Sequence, residues 1–316
     1  MSRKTFLLLF TAAAAASVVW AQGQAIDYAK IEILTEKVAP NLYMLSGSAG
    51  ADPGHQDAAG GRIGVLAGPD GIFMVDSQYA QITDKVLAAV RKISPAPIRF
   101  LVNTHVHPDH TAGNANVVHT GALLFDREEL REELLKQPAG TTPADAARLP
   151  VVTYGMGEPV KFHMNGEIVD LIPVRAAHTG GDTMIRFENA DVIMIGDFYR
   201  NYGYPFIDTN NGGTLQGALE GLDLTMKIAG PNTRLIPGHG TVIHKNDIIP
   251  YRDMILDVQA KVQRLISEGK SEQDVVAARP TSAWDAKVPG GLDRAGAGTS
   301  ADRFVRMLYS QLKNAK

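Results

Sequence analysis

The chain has 316 residues, 45% hydrophobic and 21% charged, with a net charge of −3 and no cysteine. That balance suits a globular protein with enough length to bury a large core. It excludes disulfides and thiolate metal sites, and the lack of a basic run or basic-aromatic patch argues against a nucleic-acid partner.

The N-terminus departs from this average. Arg3 and Lys4 precede an apolar run from Phe6 to Trp20, and Val19-Trp20-Ala21 resembles a small-residue cleavage pattern. Residues 1–21 are predicted to be a signal peptide, leaving 22–316 as one periplasmic or secreted domain. Its removal takes away two positive charges and no negative ones, so the net charge moves from −3 to about −5. No later stretch is long and apolar enough to span a membrane.

Residues 22–30 are polar and read as an arm. Ile31 to Leu45 holds two short apolar stretches broken at Pro40-Asn41, as in paired strands. Gly47 to Gly61 is a loop that carries His55. Arg62 to Leu66 and Ile72 to Asp76 read as a hairpin around Gly68-Pro69-Asp70-Gly71. Thr83 to Ile93 sets Val86, Leu87, Val90 and Ile93 on one helical face. Ile98 to Val102 is an apolar strand that ends in Asn103-Thr104. A helix beginning at Ala112, a strand at Ala122–Phe125 and a charged helix from Asp126 to Lys136 follow, and Pro138 to Pro150 is turn-rich, as in a mobile surface segment. Val160–Met164 and Glu167–Pro173 flank Asn165-Gly166, a strong hairpin signal. Strands at Met184–Phe187 and Val192–Ile195 lead to a helix at Leu215–Ile228 and a short strand at Arg234–Ile236. A long amphipathic helix is predicted from Pro250 to Glu268, able to cover the core without a partner chain. Ser271 with Asp274 caps a short helix, and Ser300 to Leu312 forms the last. Strands and helices mixed in two halves predict an α/β sandwich of sheets covered by helices.

The densest chemistry is His105-Val106-His107-Pro108-Asp109-His110, directly after an apolar strand. His105 and His107 are two apart and project to one side of an extended backbone. Pro108 stops the strand and suits the first turn of a helix, so Asp109 and His110 point elsewhere. One segment thus offers ligands to two adjacent points, more than a single ion needs. His178, Asp197 and His239 also follow strands beside Gly, Pro or Thr, and the ends of neighbouring strands meet at one sheet edge. Imidazole and carboxylate without thiolate suit zinc, with Mn2+ or Fe2+ as competitors. Asp182 has the place of a loop-structuring residue, and His119, His163 and His244 have no comparable context. Phe198, Tyr199, Tyr202, Tyr204 and Phe206 follow Asp197 closely and suit either core or an apolar substrate wall. Phe198, Tyr199 and Tyr204, with His55 from the Gly-rich loop, are the substrate-pocket candidates.

The ordered set of His-x-His-x-Asp-His, a lone His after a strand, Gly-Asp, and Gly-His-Gly resembles the metallo-β-lactamase-fold superfamily across roughly residues 31–245. The resemblance implies a four-layer αβ/βα sandwich with the site at one edge of two sheets. It implies two Zn2+ ions, one held by His105, His107 and His178, the other by Asp109, His110 and His239, with Asp197 bridging. Two metals about 3.5–4 Å apart can share a water and lower its pKa, and Asp109 would accept a hydrogen bond from that metal-bridging nucleophile. The implied activity is hydrolysis of a small ester, lactone or amide-type substrate. An aspartate at 197 resembles the hydroxyacylglutathione hydrolase and lactonase branches, whereas zinc β-lactamases more often carry Cys or Ser there. Lactam hydrolysis by a periplasmic metallo-β-lactamase is the alternative; a redox or non-catalytic binding member of the fold is a further one.

Overall fold

The computed structural model describes residues 25–136, 146–295 and 298–314. The signal peptide predicted at 1–21, the start of the arm at 22–24, and residues 138–145 of the turn-rich segment lie outside the described residues. Ala146–Arg148 forms a single 3-10 turn.

Strands β1 (Ile33–Lys37), β2 (Leu42–Gly47), β3 (Ile63–Gly68) and β4 (Gly71–Val75) pair antiparallel in chain order. Helix α1 (Thr83–Ile93) then returns the chain so that β5 (Ile98–Val102) pairs parallel with β4. The short helices α2 (Pro108–Thr111) and α3 (Asn114–Val118) lead to β6 (Leu123–Arg127), and α4 (Glu128–Lys136) precedes β7 (Val152–Tyr154), which closes a seven-stranded sheet. The second sheet holds β8 (Val160–Met164), β9 (Glu167–Pro173), β10 (Thr183–Phe187), β11 (Val192–Gly196) and β12 (Arg234–Pro237) in the order β12-β11-β10-β9-β8. Helix α5 (Leu215–Ile228) makes the crossover that the parallel pair β11–β12 requires. Helices α6 (Lys245–Ser267), α7 (Glu272–Ala277) and α8 (Ser300–Asn314) finish the chain.

The strand period of two sorts side chains between layers. On β4, Ile72 and Met74 pack with Val86 and Val90 of α1, while Phe73 and Val75 face the second sheet. On β11, Val192 and Met194 meet the first sheet, while Ile193 and Ile195 pack under Leu222 of α5 and Ile255 and Val258 of α6. Helix, sheet, sheet, helix is the four-layer sandwich that the resemblance implied. Among the described residues, no helix is long and apolar enough to cross a membrane.

Three local expectations change. Helix α6 begins at Lys245, five residues before Pro250, because Asp247 accepts the His244 backbone N–H at 2.8 Å and fixes the start. Pro250 then lies inside the helix, where it removes one backbone hydrogen bond. The helix expected from Ala112 is instead two short ones, the first starting at Pro108. The edge strand β7 is only three residues long and half exposed, too short to leave a periodic signal.

Candidate metal centre

The centre lies where β5, β11 and β12 end. Strand β5 stops at Val102, and His107 takes an extended backbone (φ −62°, ψ 147°) before Pro108 opens α2. The His107 carbonyl accepts from the His110 and Thr111 amides, both at 3.0 Å. That turn leaves the His105 and His107 rings 4.9 Å apart on one side and swings Asp109 and His110 to the other. Glycine is required at two places around it. A Cβ at Gly61 would overlap the His110 ring, and one at Gly238 would overlap the Asp197 carboxylate.

Three triads, two of them sharing His105, each bring one ligand atom per residue within 4.8 Å of one another: His105, His107, His178; His55, Asp109, His239; and His105, His110, Asp197. His178 Nε2 is 3.0 Å from His107 Nδ1. Asp109 Oδ2 lies 3.0 Å from His239 Nε2 and 3.7 Å from His110 Nε2. The Asp197 carboxylate stands between the groups, 3.4 Å from His239 Nε2, 3.6 Å from His110 Nε2, 3.8 Å from His178 Nε2 and 4.0 Å from His105 Nε2.

The far side of most rings is tied down. His107 Nε2 meets Asp208 at 2.7 Å, His178 Nδ1 meets the Phe206 carbonyl at 2.6 Å, and His110 Nδ1 meets Asp76 at 2.7 Å. His105 Nδ1 is 3.1 Å from the Thr104 hydroxyl, which itself donates to Asp76 at 2.8 Å. Such outer partners orient an imidazole and set which nitrogen carries its lone pair. The inward atoms are the reverse. His105 Nε2, His110 Nε2, His239 Nε2, Asp109 Oδ2 and Asp197 Oδ1 are buried without a hydrogen-bond partner. Buried polar atoms that converge without partners are costly unless a cation completes them, so this donor set fits metal ions.

The charges agree. Burial and the neighbouring His107 push His178 down to about 3. Burial, with His110 next, holds His105 well below the usual histidine range, so both rings are neutral at pH 7 and able to offer a lone pair. Burial alone would raise Asp197, but His239 and then His110 outweigh it and hold the carboxyl well below its usual range. Asp109 is depressed in the same way, His110 being the strongest opposing influence. His110 itself goes up to about 10, because Asp76, Asp109 and Asp197 together overcome its burial.

All seven ligand candidates named from the sequence are among the residues of these three triads. His55 joins them from the Gly-rich loop. Its ring stacks on His239 with centroids 3.7 Å apart and planes 2° from parallel, and its Nε2 is 3.7 Å from Asp109. One ion cannot lie in both of two parallel ring planes, so His239, nearer both carboxylates, is the better-placed ligand and His55 packs on its face. Asp182 is a loop-structuring residue as expected, accepting from the His178 amide at 2.6 Å and the Thr179 amide at 3.0 Å.

The aromatic candidates divide differently. Phe198, Tyr199 and Tyr204 are buried in the core beneath α5, α6 and α8. Tyr199 packs on Tyr251, and Tyr204 stacks on Phe304 while its hydroxyl donates to Asp285 at 2.8 Å. Tyr204 also lines a cavity beside the centre together with His55 and Phe206, and Phe206 is 45% exposed with its ring 5.9 Å from that of His107. Sequence reasoning missed Asp76, Asp208 and Asp52, the last of which holds His55 Nδ1 at 3.1 Å and accepts from Tyr79 at 2.6 Å. Asp76 carried a usable signal, an acid at the end of an apolar strand like Asp197. Asp208 and Asp52 sit in loops with none.

A sequence profile of the metallo-β-lactamase superfamily matches residues 58–239. The linear primary-alkylsulfatase of a Pseudomonas sp. is 44% identical over 130 residues, 38% of this chain and 24% of that protein, so the chain spans about a quarter of that relative's length. Among solved structures, a metallo-β-lactamase from Pontibacter korlensis aligns with TM-score 0.60 at 14% identity over 72% of this chain and 100% of its own. The stereoselective inverting sec-alkylsulfatase Pisa1 from Pseudomonas sp. aligns with TM-score 0.63 at 17% identity over 89% of this chain and 50% of its own. The structural likenesses carry the fold, and the profile spans more than half of the chain, including the whole ligand set. The chain belongs to the metallo-β-lactamase superfamily.

Proposed function

We propose that this protein is a hydrolase with two Zn2+ ions that cleaves a small ester, lactone or amide-type substrate. The observation that supports it most is the clustering of the buried, unpartnered atoms of His105, His110, His239, Asp109 and Asp197 around the two carboxylates. Bound metal ions supply a water acidic enough to attack at neutral pH and a Lewis acid for the electrophile's oxygen.

The chain's own residues do the rest. His105, His107 and His178 would form an all-imidazole set at one position. Asp109, His110 and His239 would serve the other, and Asp197 would be shared between them. Asp109 accepts a hydrogen bond from the nucleophile and orients it. Asp208 and Asp76 keep His107 and His110 in register. Phe206 offers the nearest apolar face to a substrate. Export of the mature chain belongs to the same proposal, and cell fractionation with N-terminal sequencing checks it.

A second reading, hydrolysis of a sulfate ester, is favoured by the 44% identity to a linear primary-alkylsulfatase. A panel of a lactone, a carboxylate ester, a thioester, a phosphoester, an alkyl sulfate and a chromogenic cephalosporin separates the readings. Turnover of carboxylate esters or lactones that disappears on chelation supports the first reading, and turnover of the alkyl sulfate alone replaces it with the second. No turnover of any of them with metal bound defeats both.

A further inference from the structure

A separate cavity of about 300 Å³ opens in the helical layer, and none of the seven ligand candidates lines it. Three segments form it: the strap from Tyr199 to Gly203 that follows Asp197, the first half of α6, and the segment from Trp284 to Pro289. Hydrogen bonds tie the three together. The Gly203 amide donates to the Pro289 carbonyl at 2.6 Å, and Trp284 Nε1 donates to Asp257 of α6 at 2.7 Å. Asn201 bonds Thr241, in the loop before α6, through both ends of its amide. A cavity held in this way is formed before a ligand arrives.

Its walls are mainly aromatic and apolar. Tyr199 and Tyr251 pack with ring centroids 4.6 Å apart, and Met254, Trp284, Val288 and Pro289 complete the lining. Most polar groups of the wall are engaged elsewhere. Asn201 and Trp284 are bonded as above, Arg200 Nε donates to the Tyr202 carbonyl at 2.8 Å, and Asp247 accepts the His244 amide at 2.8 Å. Lys287 is exposed, with its ammonium 5.0 Å from the centre of the Trp284 ring. Tyr251 is the exception. The residue is only 9% exposed, and its hydroxyl is buried without a hydrogen-bond acceptor. The Arg200 backbone amide lies on its oxygen side and Tyr199 is close by, both of them cavity walls, so the hydroxyl faces the cavity beneath the strap. Burial pushes it well above the usual tyrosine range, which keeps it a donor at neutral pH. One donor in an apolar wall suits water poorly, since a buried water needs two to four polar partners. It suits a single acceptor atom on an apolar body. An uncharged acceptor fits better than a carboxylate, whose burial one neutral donor would not offset.

We propose that this cavity binds a neutral aromatic molecule bearing a carbonyl oxygen, with that oxygen accepting from Tyr251 and the ring lying among Tyr199, Met254 and Trp284. Aromatic walls and the Met254 sulfur favour an aromatic body over an aliphatic one. A volume of about 300 Å³ admits one ring or two fused rings. A molecule bound there touches the strap that follows Asp197, but the site needs nothing from the hydrolase reading.

Ligand-observed fluorine NMR on the full chain tests it with three probes: para-fluoroacetophenone, para-fluoroethylbenzene, which lacks the acceptor, and para-fluorobenzoate, which is charged. The ketone is expected to bind most tightly. Tyr251→Phe should weaken ketone binding about fivefold, the size of one neutral hydrogen bond, and bring it level with the hydrocarbon. Hydrocarbon binding, circular dichroism and metal content should stay as in the wild type. Val288→Trp, which fills the cavity, should weaken ketone and hydrocarbon alike by about tenfold or more. Should that variant fail to fold, Tyr251→Phe decides alone. Ketone binding left unchanged by either folded variant lies elsewhere and overturns the site. Equal affinity for ketone and hydrocarbon in the wild type, tighter binding of the benzoate, or no binding at millimolar concentration also overturns it.

Discussion

The His105–His107–His178 half of the centre is all imidazole, whereas the half around Asp109, His239 and Asp197 carries two carboxylates. In the first half, burial keeps His105 and His178 neutral, and the Phe206 carbonyl, Asp208 and Thr104 fix the rings from behind. That half is shaped before any cation arrives. The second half is held by charge. Its carboxylates stay ionised because His110 and His239 surround them, and His110 in turn stays protonated because the carboxylates surround it. One half therefore depends on outer hydrogen bonds, and the other on the exchange of a proton for a metal ion.

The largest effects come from removing a ligand from either half. Asp109→Ala should reduce hydrolysis to background and lower the metal content of the second half, while circular dichroism shows the fold retained. His178→Ala should do the same for the first half. Loss of all metal from D109A would mean that the halves are not separable. The next effect sharpens the first half alone. Asp208→Asn leaves every ligand in place but weakens the anchor on His107, and should cost about 10–100-fold in metal affinity, read by competition with a chelating dye. Asp208 also lines the cavity beside the centre, so metal affinity, not KM, is the informative readout.

The second half is tested by pH. His110 is raised to about 10, so it carries a proton throughout the neutral range in the ion-free protein, and a metal must displace that proton. Metal affinity should therefore rise with pH and level off above about 10, with protons released on binding near pH 7.5. Calorimetry in buffers of different ionisation enthalpy measures the number released. Binding without proton release would contradict the charge-exchange account. The smallest effect on activity belongs to the helical layer. Ile255→Ala in α6, a fully buried position, should lower stability by about 2–5 kcal/mol in a denaturant titration while leaving metal content unchanged.

Much of this was legible in the sequence, for a physical reason. The two-residue spacing of His105 and His107, the break at Pro108 and the placement of His178, Asp197 and His239 after strands are local facts, and strand ends converge at a sheet edge in any such sandwich. The residues behind the rings were not legible. Asp208 and Asp52 reach the site through loop geometry, which carries no periodicity. The aromatic run after Asp197 was ambiguous for a related reason: hydrophobicity does not say which face a loop buries. Phe198 and Tyr199 pack in the core, Tyr204 packs there and also lines the cavity beside the centre, and Phe206 is large and exposed beside the rings.

Titration of zinc into chelator-stripped protein, with hydrolysis of a small carboxylate ester followed at each addition, tests the central claim most directly. No turnover without metal and full turnover at two ions per chain is the expected result. Undiminished turnover in the stripped protein would contradict the assignment of the centre to hydrolysis.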